Sequence, residues 1–212
     1  MYINEIFRSI QGESTYAGLP CVFVRLAGCN LACSWCDTPY AQTMFKAADM
    51  TVDDVISEVK KHACRLVEVT GGEPMMQEET DELVKRLLDG GYTVLVESNG
   101  SVSFEGLDAR AVKVVDVKCP ASGHAGTFLV ENIGLLTKDD EVKFVIADRR
   151  DYDFAKKFIE DYLHDATLKV LFAPVSPGLA PKELAEWILK DGLCVRLQLQ
   201  MHKYVWGNER GR

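Results

Sequence analysis

The chain has 212 residues, of which 47% are hydrophobic and 26% charged, a composition typical of a globular protein that buries a sizeable core. Its net charge of −8 repels polyphosphate and argues against non-specific nucleic-acid binding. No apolar run approaches the roughly 18 residues of a membrane span, and the first residues lack the basic and apolar regions of a signal peptide. We therefore expect a cytoplasmic protein that acts on a small molecule, with no nucleic-acid or membrane partner.

Strand-like and helix-like runs alternate along the chain. Apolar runs predict strands at residues 22–26, 66–70, 93–97, 112–117, 141–146, 168–172 and 195–199. Apolar residues at helical spacing predict a helix that begins after the N-cap Thr51, and further helices at residues 83–88, 152–163 and 182–189. This alternation favours right-handed βαβ units and a parallel sheet.

The number of units predicts an incomplete barrel. A complete eight-unit TIM-type βα barrel usually takes about 250 residues, and this shorter chain shows six or seven units. No repeat, low-complexity tract or linker divides it, so we expect one domain over residues 1–212. Barrel enzymes place their chemistry just after the strands. Polar motifs occupy that position at residues 28–37, 71–74, 98–100, 118–120 and 173–176.

The seven cysteines differ in their surroundings. A reducing cytoplasm would keep them as thiols, and an isolated cysteine among apolar neighbours is expected to be a small core residue. Three others form a Cys-x3-Cys-x2-Cys run, which brings three thiolates together in one loop. The isolated cysteines are Cys21, Cys64, Cys119 and Cys194, and the run contains Cys29, Cys33 and Cys36.

Three thiolates can hold three corners of a cubane iron–sulfur cluster and leave the fourth iron open to substrate or cofactor. The alternative is a structural zinc site, which normally closes with four ligands. The next candidates, His62 and Cys64, are too distant for finger-like spacing. We therefore predict a 4Fe-4S cluster on the three cysteines of the run.

The cysteine run, with Trp35 just before its last cysteine, resembles the signature of the radical S-adenosylmethionine (SAM) superfamily. The resemblance implies that the open iron binds the amino and carboxylate groups of SAM. It also implies that the reduced cluster cleaves SAM to methionine and a 5′-deoxyadenosyl radical, and that oxygen destroys activity. The electron would come from an external donor of the flavodoxin or ferredoxin kind.

Several strand-end segments resemble the SAM-binding elements of this superfamily. Residues 70–74 are similar to its Gly-Gly-Glu-Pro element, which implies that Gly72 and Glu73 bind the amino group of SAM; a plain turn is the alternative. Ser98 lies in a segment similar to one that contacts the ribose or carboxylate, with a polar turn as its alternative. The resemblance extends these contacts to Trp35, Lys118, Cys119, Pro120, Ala173, Pro174, Val175 and Ser176.

The N-terminal Gln-Gly-Glu at residues 11–13 is more selective than the superfamily signature, with a capped turn as its alternative. Together with Arg25 and residues 35–38, 116–120 and 198–203, it is similar to the 7-carboxy-7-deazaguanine synthase family. The resemblance implies a lyase that contracts 6-carboxy-5,6,7,8-tetrahydropterin to 7-carboxy-7-deazaguanine with loss of ammonia. That reaction makes the precursor of queuosine-type bases, and SAM is regenerated in each cycle.

The same resemblance implies further residue roles. Residues 1–20 would form a substrate-binding extension, and Thr38 would bind Mg²⁺, with an ordinary turn hydroxyl as the alternative. Arg25 has a strand-end salt bridge as its alternative role, and His202 a place in the core or an interface. The resemblance implies a homodimer, for which the sequence offers only the apolar stretch around Leu197, Leu199, Tyr204, Val205 and Trp206, with a place in the core as the equal alternative. The predicted pterin-binding residues are Ile10, Gln11, Gly12, Glu13, Arg25, Thr70 and His202.

The sequence is also compatible with two other functions. A radical SAM activating enzyme that abstracts hydrogen from a glycine of a partner protein would share the fold and the cluster, but the Gln-Gly-Glu and Arg25 set suits a small carboxylated heterocycle better. A non-enzymatic zinc-dependent binding module is the second. The polar tail at residues 206–212 would either fray or fold over the substrate.

Overall fold

The computed structural model describes residues 1–163, 167–207 and 209–211. Within these ranges nine strands form one sheet: β1 (Tyr2–Ile10), β2 (Pro20–Leu26), β3 (Ala48–Asp49), β4 (Leu66–Gly71), β5 (Thr93–Ser98), β6 (Val112–Asp116), β7 (Glu141–Ile146), β8 (Lys169–Pro174) and β9 (Arg196–Leu197). Their order across the sheet is β3-β1-β2-β4-β5-β6-β7-β8-β9.

The predicted incomplete barrel is confirmed. The strands from β2 to β9 in this order are all parallel, and the edge strands β3 and β9 do not pair with each other. The predicted strands coincide with the observed ones to within a few residues. The sequence did not predict β1 and β3, which extend the sheet in antiparallel pairing beyond β2.

Helices cover the outside of the sheet: α1 (Val52–Lys60), α2 (Thr80–Asp89), α3 (Arg149–Phe158) and α4 (Pro181–Asp191). A further helix, α5 (Met201–Trp206), follows β9. Thr51 caps α1 as predicted, since its hydroxyl accepts the Asp54 N–H at 3.2 Å. A π-helical turn, Ile159–Leu163, follows α3, and α5 was not predicted. None of the helices in the described ranges is long and apolar enough to cross a membrane.

Two apolar clusters fix the helices on the sheet. One joins α1 and α2 to β2, β4 and β5, with Val55, Leu83 and Val94 fully buried. The other joins α3 and α4 to β6, β7 and β8 around Phe144 and Tyr152. Because the strands are buried on both faces, a polar residue inside them must find a partner within the barrel.

The loop after β1 begins with buried residues and contacts the C-terminal segment of the chain. Antiparallel pairing sets Ile10 beside Pro20, so residues 11–19 connect β1 to β2. The Ser14 N–H donates to the Gln198 side-chain oxygen at 2.7 Å, and the Met201 N–H donates to the Gly12 carbonyl at 2.9 Å. The loop after β1 therefore contacts the segment that follows β9.

Candidate active site

A cavity of about 600 Å³ lies among the residues that follow the carboxyl ends of the parallel strands. Of the residues predicted to form the site, all line this cavity except Glu73, Cys119 and Pro120. Those on its wall are Ile10, Gln11, Gly12, Glu13, Arg25, Cys29, Cys33, Trp35, Cys36, Thr38, Thr70, Gly72, Ser98, Lys118, Ala173, Pro174, Val175, Ser176 and His202.

Backbone hydrogen bonds fix the cysteine loop just after β2. The Gly28 N–H donates to the Ala41 carbonyl at 2.8 Å, and the Ser34 N–H donates to the Ser122 carbonyl at 3.2 Å. The loop is therefore held on both sides by neighbouring segments. It brings three half-buried thiols to the cavity, those of Cys29, Cys33 and Cys36.

A half-buried cation, Lys118, lies near these thiols. Burial raises the pKa of the Cys29 and Cys33 thiols, and the Lys118 ammonium opposes that rise. Burial would lower the pKa of Lys118 itself, but Asp116, which accepts its hydrogen bond at 2.9 Å, and Cys33 raise it above its usual value. Lys118 therefore supplies a fixed positive charge where a metal cluster needs thiolates.

Gly72 lies where the segment after β4 crosses the cysteine loop. A Cβ here would overlap the Gly28 carbonyl oxygen, so the crossing requires glycine. The Glu73 N–H donates to the same carbonyl at 2.8 Å. The Gly-Gly turn is thus built against the cysteine loop.

The Glu73 side chain lies behind the cavity wall and is 0% exposed. Its carboxylate accepts hydrogen bonds from the Ser98 hydroxyl at 2.8 Å, the Asn99 N–H at 2.7 Å and the Met75 N–H at 3.0 Å. Burial raises the pKa of Glu73 more than these donors lower it. In the structure this carboxylate holds the segment after β5, and its predicted contact with SAM stays a prediction.

Cys119 and Pro120 also lie behind the wall. Cys119 is 1% exposed, and Pro120 begins a short 3-10 helix, Pro120–Ser122. The Ser34 hydroxyl donates to the Ala121 carbonyl of this helix at 2.8 Å. These residues therefore support the cysteine loop from outside, while any contact of their own with SAM stays a prediction.

The loop after β1 turns the predicted pterin-binding side chains toward the cavity. The Gln11 amide donates to Glu68 and accepts the Glu13 N–H at 3.1 Å. Gly12 packs against the His202 ring so closely that a Cβ would overlap the imidazole. His202 therefore belongs to the cavity wall through contact with the opposite end of the chain.

The Glu13 carboxylate is held by three donors. It accepts from Lys143 at 2.9 Å and Gln198 at 3.1 Å on one oxygen, and from Gln200 at 2.8 Å on the other. These donors come from β7 and from the segment after β9. The carboxylate is therefore fixed in position before any ligand binds.

A cluster of buried charges that the sequence analysis missed lies beside Glu13. Lys143 donates to Glu97 and lies 3.6 Å from the Asp116 carboxylate. Burial lowers the pKa of Lys143. The negative charges of Glu13 and Glu97 have the larger effect and raise this pKa well above its usual value. Burial also opposes ionisation of Glu97, yet Lys143 holds the pKa of Glu97 below its usual value.

Glu68, unlike Glu97, favours its protonated, neutral form. Burial, followed by the charges of Glu97 and Glu13, raises the pKa of Glu68 well above its usual value. The Thr70 hydroxyl, on the same strand, donates to Glu97 at 2.9 Å. A charged residue inside an apolar strand, as at Glu68 and Lys143, was the signal that would have identified this cluster.

Arg25 forms the salt bridge that was its alternative role, while also lining the cavity. Its Nε lies 2.9 Å from the Glu5 carboxylate, and both side chains are 15% exposed. Glu5 also accepts from Arg210 at 3.0 Å, and the Arg210 guanidinium lies 3.9 Å from the centroid of the Tyr40 ring. The described part of the C-terminal tail thus folds onto the cavity wall.

Thr38 lines the cavity just before the 3-10 helix Pro39–Ala41. Its hydroxyl makes no capping hydrogen bond and lies 3.9 Å from the Cys36 sulfur. The hydroxyl therefore does not serve the turn as a cap. Magnesium binding at Thr38 stays a prediction.

A partial barrel with a three-cysteine loop after its first parallel strand is the architecture of a radical SAM protein. The sequence profile of the Radical SAM superfamily matches residues 24–190. The 7-carboxy-7-deazaguanine synthase of Koribacter versatilis is 46% identical, with 99% of this chain and 98% of the relative covered. That of Chlorobaculum tepidum is 42% identical, with 96% and 93% covered. The chain therefore belongs to the 7-carboxy-7-deazaguanine synthase family of the radical SAM superfamily.

A solved structure supports the fold. The crystal structure of QueE from Escherichia coli is similar to this chain with a TM-score of 0.79 at 23% identity, covering 95% of this chain and 94% of that chain. This likeness concerns the arrangement of strands and helices. It agrees with the open, mostly parallel barrel described above.

Membership of the superfamily implies an iron–sulfur cluster and SAM. The residues present suit both groups, because three half-buried thiols and the half-buried Lys118 cation face one cavity of about 600 Å³. In the described ranges, no three His, Cys, Asp or Glu side chains are gathered tightly enough to hold a single metal ion.

Proposed function

We propose that this enzyme converts 6-carboxy-5,6,7,8-tetrahydropterin into 7-carboxy-7-deazaguanine with loss of ammonia, in the biosynthesis of queuosine-type deazapurines. The supporting observation is that one cavity contains both the three-cysteine loop and the Gln-Gly-Glu loop with Arg25 and His202. The names of the full-length relatives support the same reaction. When bound, the reduced cluster and SAM supply the 5′-deoxyadenosyl radical that abstracts hydrogen.

In this proposal the chain's own residues bind and orient the pterin. Glu13, already fixed by its three donors, presents acceptor oxygens to the aminopyrimidinone edge, with Gln11 beside it. Arg25 provides a cation for the substrate carboxylate. Thr38 would bind Mg²⁺, which commonly keeps waters and substrate oxygens as its other ligands. The residues that follow β4, β5, β6 and β8 would contact SAM.

The enzyme would work with an external one-electron donor of the flavodoxin or ferredoxin kind, because the cluster must be reduced. We also propose a homodimer, supported by the exposed apolar side chains of Leu197, Leu199, Tyr204 and Val205. Sedimentation that shows only monomer at micromolar concentrations would remove the dimer. The seven free cysteines suit action in the reducing cytoplasm.

Anaerobic incubation of the reduced, reconstituted protein with SAM, Mg²⁺ and the carboxytetrahydropterin tests this function. Mass analysis should detect carboxydeazaguanine and release of ammonia. The Cys33→Ala protein is the control, since it should form neither product. Reductive cleavage of SAM without conversion of the pterin would contradict the proposal and would favour an activating enzyme with a protein substrate.

A further inference from the structure

The side-chain amide of Asn99 approaches one of the three cysteines from the segment after β5. Its Nδ2 lies 3.9 Å from the Cys29 sulfur and 3.2 Å from the Asn30 side-chain oxygen. Asn99 is 6% exposed, so water competes little for this N–H group. The family resemblance implies a contact with SAM for its neighbour Ser98.

The three thiols are unequal in the hydrogen bonds they receive. Besides the Asn99 amide, the Leu31 backbone N–H reaches the Cys29 sulfur, at 3.4 Å. The sulfur of Cys36 faces the Thr38 hydroxyl at 3.9 Å. Within the described residues, Cys29 is therefore the cysteine toward which N–H donors converge.

Neighbouring residues fix the orientation of the Asn99 amide. Its oxygen accepts the Ser101 N–H at 2.9 Å, which directs the NH₂ group away from Ser101 and toward the cysteine loop. The Asn99 backbone N–H donates to the buried Glu73 carboxylate at 2.7 Å. The Glu73 N–H in turn donates to the carbonyl of Gly28, one residue before Cys29, at 2.8 Å. Glu73 thus holds the Asn99 segment at a fixed distance from the cysteine loop.

We propose that Asn99 is a positioning residue that donates an N–H···S hydrogen bond to the Cys29 thiolate and thereby raises the reduction potential of the cluster. The inference rests on the proposed function only in requiring a cluster bound through Cys29. A contact between Asn99 and SAM is not needed for it.

Electrostatics determines the direction in which the Asn99 amide shifts the reduction potential of the cluster. Reduction adds one electron to a cluster whose ligating sulfurs are already negative. An N–H group directed at a sulfur stabilises the more negative, reduced form, and hydrogen bonds to sulfurs are among the factors that set iron–sulfur potentials. Removing the amide should therefore make the cluster harder to reduce.

An EPR-monitored redox titration of the full-length, reconstituted protein tests this role in the absence of SAM and pterin. The variants are Asn99→Leu, which keeps a similar size without an N–H, and Asn99→Ser, which is neutral and too short to reach the sulfur. Ser34→Ala is the matched control, because it removes a side-chain hydrogen bond from the same loop without touching a sulfur. Iron content is measured for each protein.

We expect a more negative midpoint potential in either Asn99 variant that keeps its full iron, and the wild-type potential in Ser34→Ala. An unchanged potential in such an Asn99 variant overturns the inference and leaves the amide a role toward SAM. Failure of the wild-type protein itself to bind iron would refute the proposed cluster instead. The two failures are therefore distinguishable.

Discussion

The Lys143 ammonium lies 2.9 Å from the Glu13 carboxylate, although 130 positions separate the two residues in the sequence. The Lys143 side chain is only 4% exposed and also contacts Glu97 and Asp116. One buried cation thus holds three carboxylates that would otherwise repel each other. The position of Glu13 in the cavity depends on this charge.

Replacing Lys143 with Met should destabilise the protein strongly. The change leaves buried carboxylates without their cation, a loss of about 3–5 kcal/mol in the free energy of unfolding. Chemical denaturation near neutral pH measures it. Lys85→Met is the control, because it breaks an exposed ion pair with Asp89 on α2 and should have a much smaller effect. Similar losses in the two variants would contradict this account of Lys143.

Glu68→Gln should change how stability depends on pH. The pKa of Glu68 is raised by burial and by Glu97 and Glu13, so the folded protein binds a proton that the unfolded chain releases above about pH 4.3. Stability due to this group is present below that pH and is lost as pH rises through the folded pKa. Gln keeps the size of Glu68 but does not titrate.

Denaturation of both proteins from about pH 5 to about pH 8 checks this sign. The free energy of unfolding should fall less with rising pH in Glu68→Gln than in the wild-type protein. Lys143 faces the same group and lowers its pKa, so it limits the size of the difference. Parallel curves over the whole range would show that Glu68 is ionised when the protein is folded.

Cys33→Ala should abolish assembly of the iron–sulfur cluster and all activity, because a cluster with one open iron needs three thiolates. Cys64→Ala and Cys194→Ala should retain both, since their sulfurs do not line the cavity. Iron analysis after anaerobic reconstitution measures the difference. An active Cys33→Ala protein would refute the ligand assignment.

Thr38→Ala should separate magnesium binding from cluster chemistry. The variant should keep its iron and its reductive cleavage of SAM, but lose ring contraction and its stimulation by Mg²⁺; Thr38→Ser should keep part of both. Because the hydroxyl caps no helix, the free energy of unfolding should stay within about 0.5 kcal/mol of wild type. Measuring product formation against Mg²⁺ concentration for the three proteins tests this role. If Mg²⁺ stimulates product formation by the Ala variant as much as by the wild-type protein, the Thr38 hydroxyl is not a magnesium ligand.

The sequence predicted the parallel core well because each strand is a short apolar run bounded by polar turns. β7 (Glu141–Ile146) was predicted with its observed bounds, and Thr51 was identified as the cap of α1. β1 (Tyr2–Ile10) was not predicted as a strand. Its residues were interpreted as an extension that binds substrate, and its antiparallel pairing with β2 is visible only in three dimensions.

The site was predicted from motifs that keep short sequence spacing, such as the cysteine run. The charges around Lys143 have no such spacing, because the loop after β1 and the strands β5, β6 and β7 bring them together only after the barrel forms. The place of Glu73 behind the wall likewise depends on a crossing of two loops that the sequence does not reveal. Residues that share a short motif could therefore be predicted from the sequence, whereas contacts between residues far apart in the sequence could not.

The hydrogen bonds from Gln198 and Gln200 to Glu13 join the last part of the chain to be synthesised to one of the first. Contacts across 185 and 187 positions form only after nearly the whole chain has left the ribosome. A nascent chain that ends before residue 198 can pair β1 with β2 and build the parallel strands up to β8, yet its Glu13 lacks both amide donors. The hydrogen bonds that fix Glu13 are thus among the last to form during synthesis, after the cysteine loop and its supporting strands have been made.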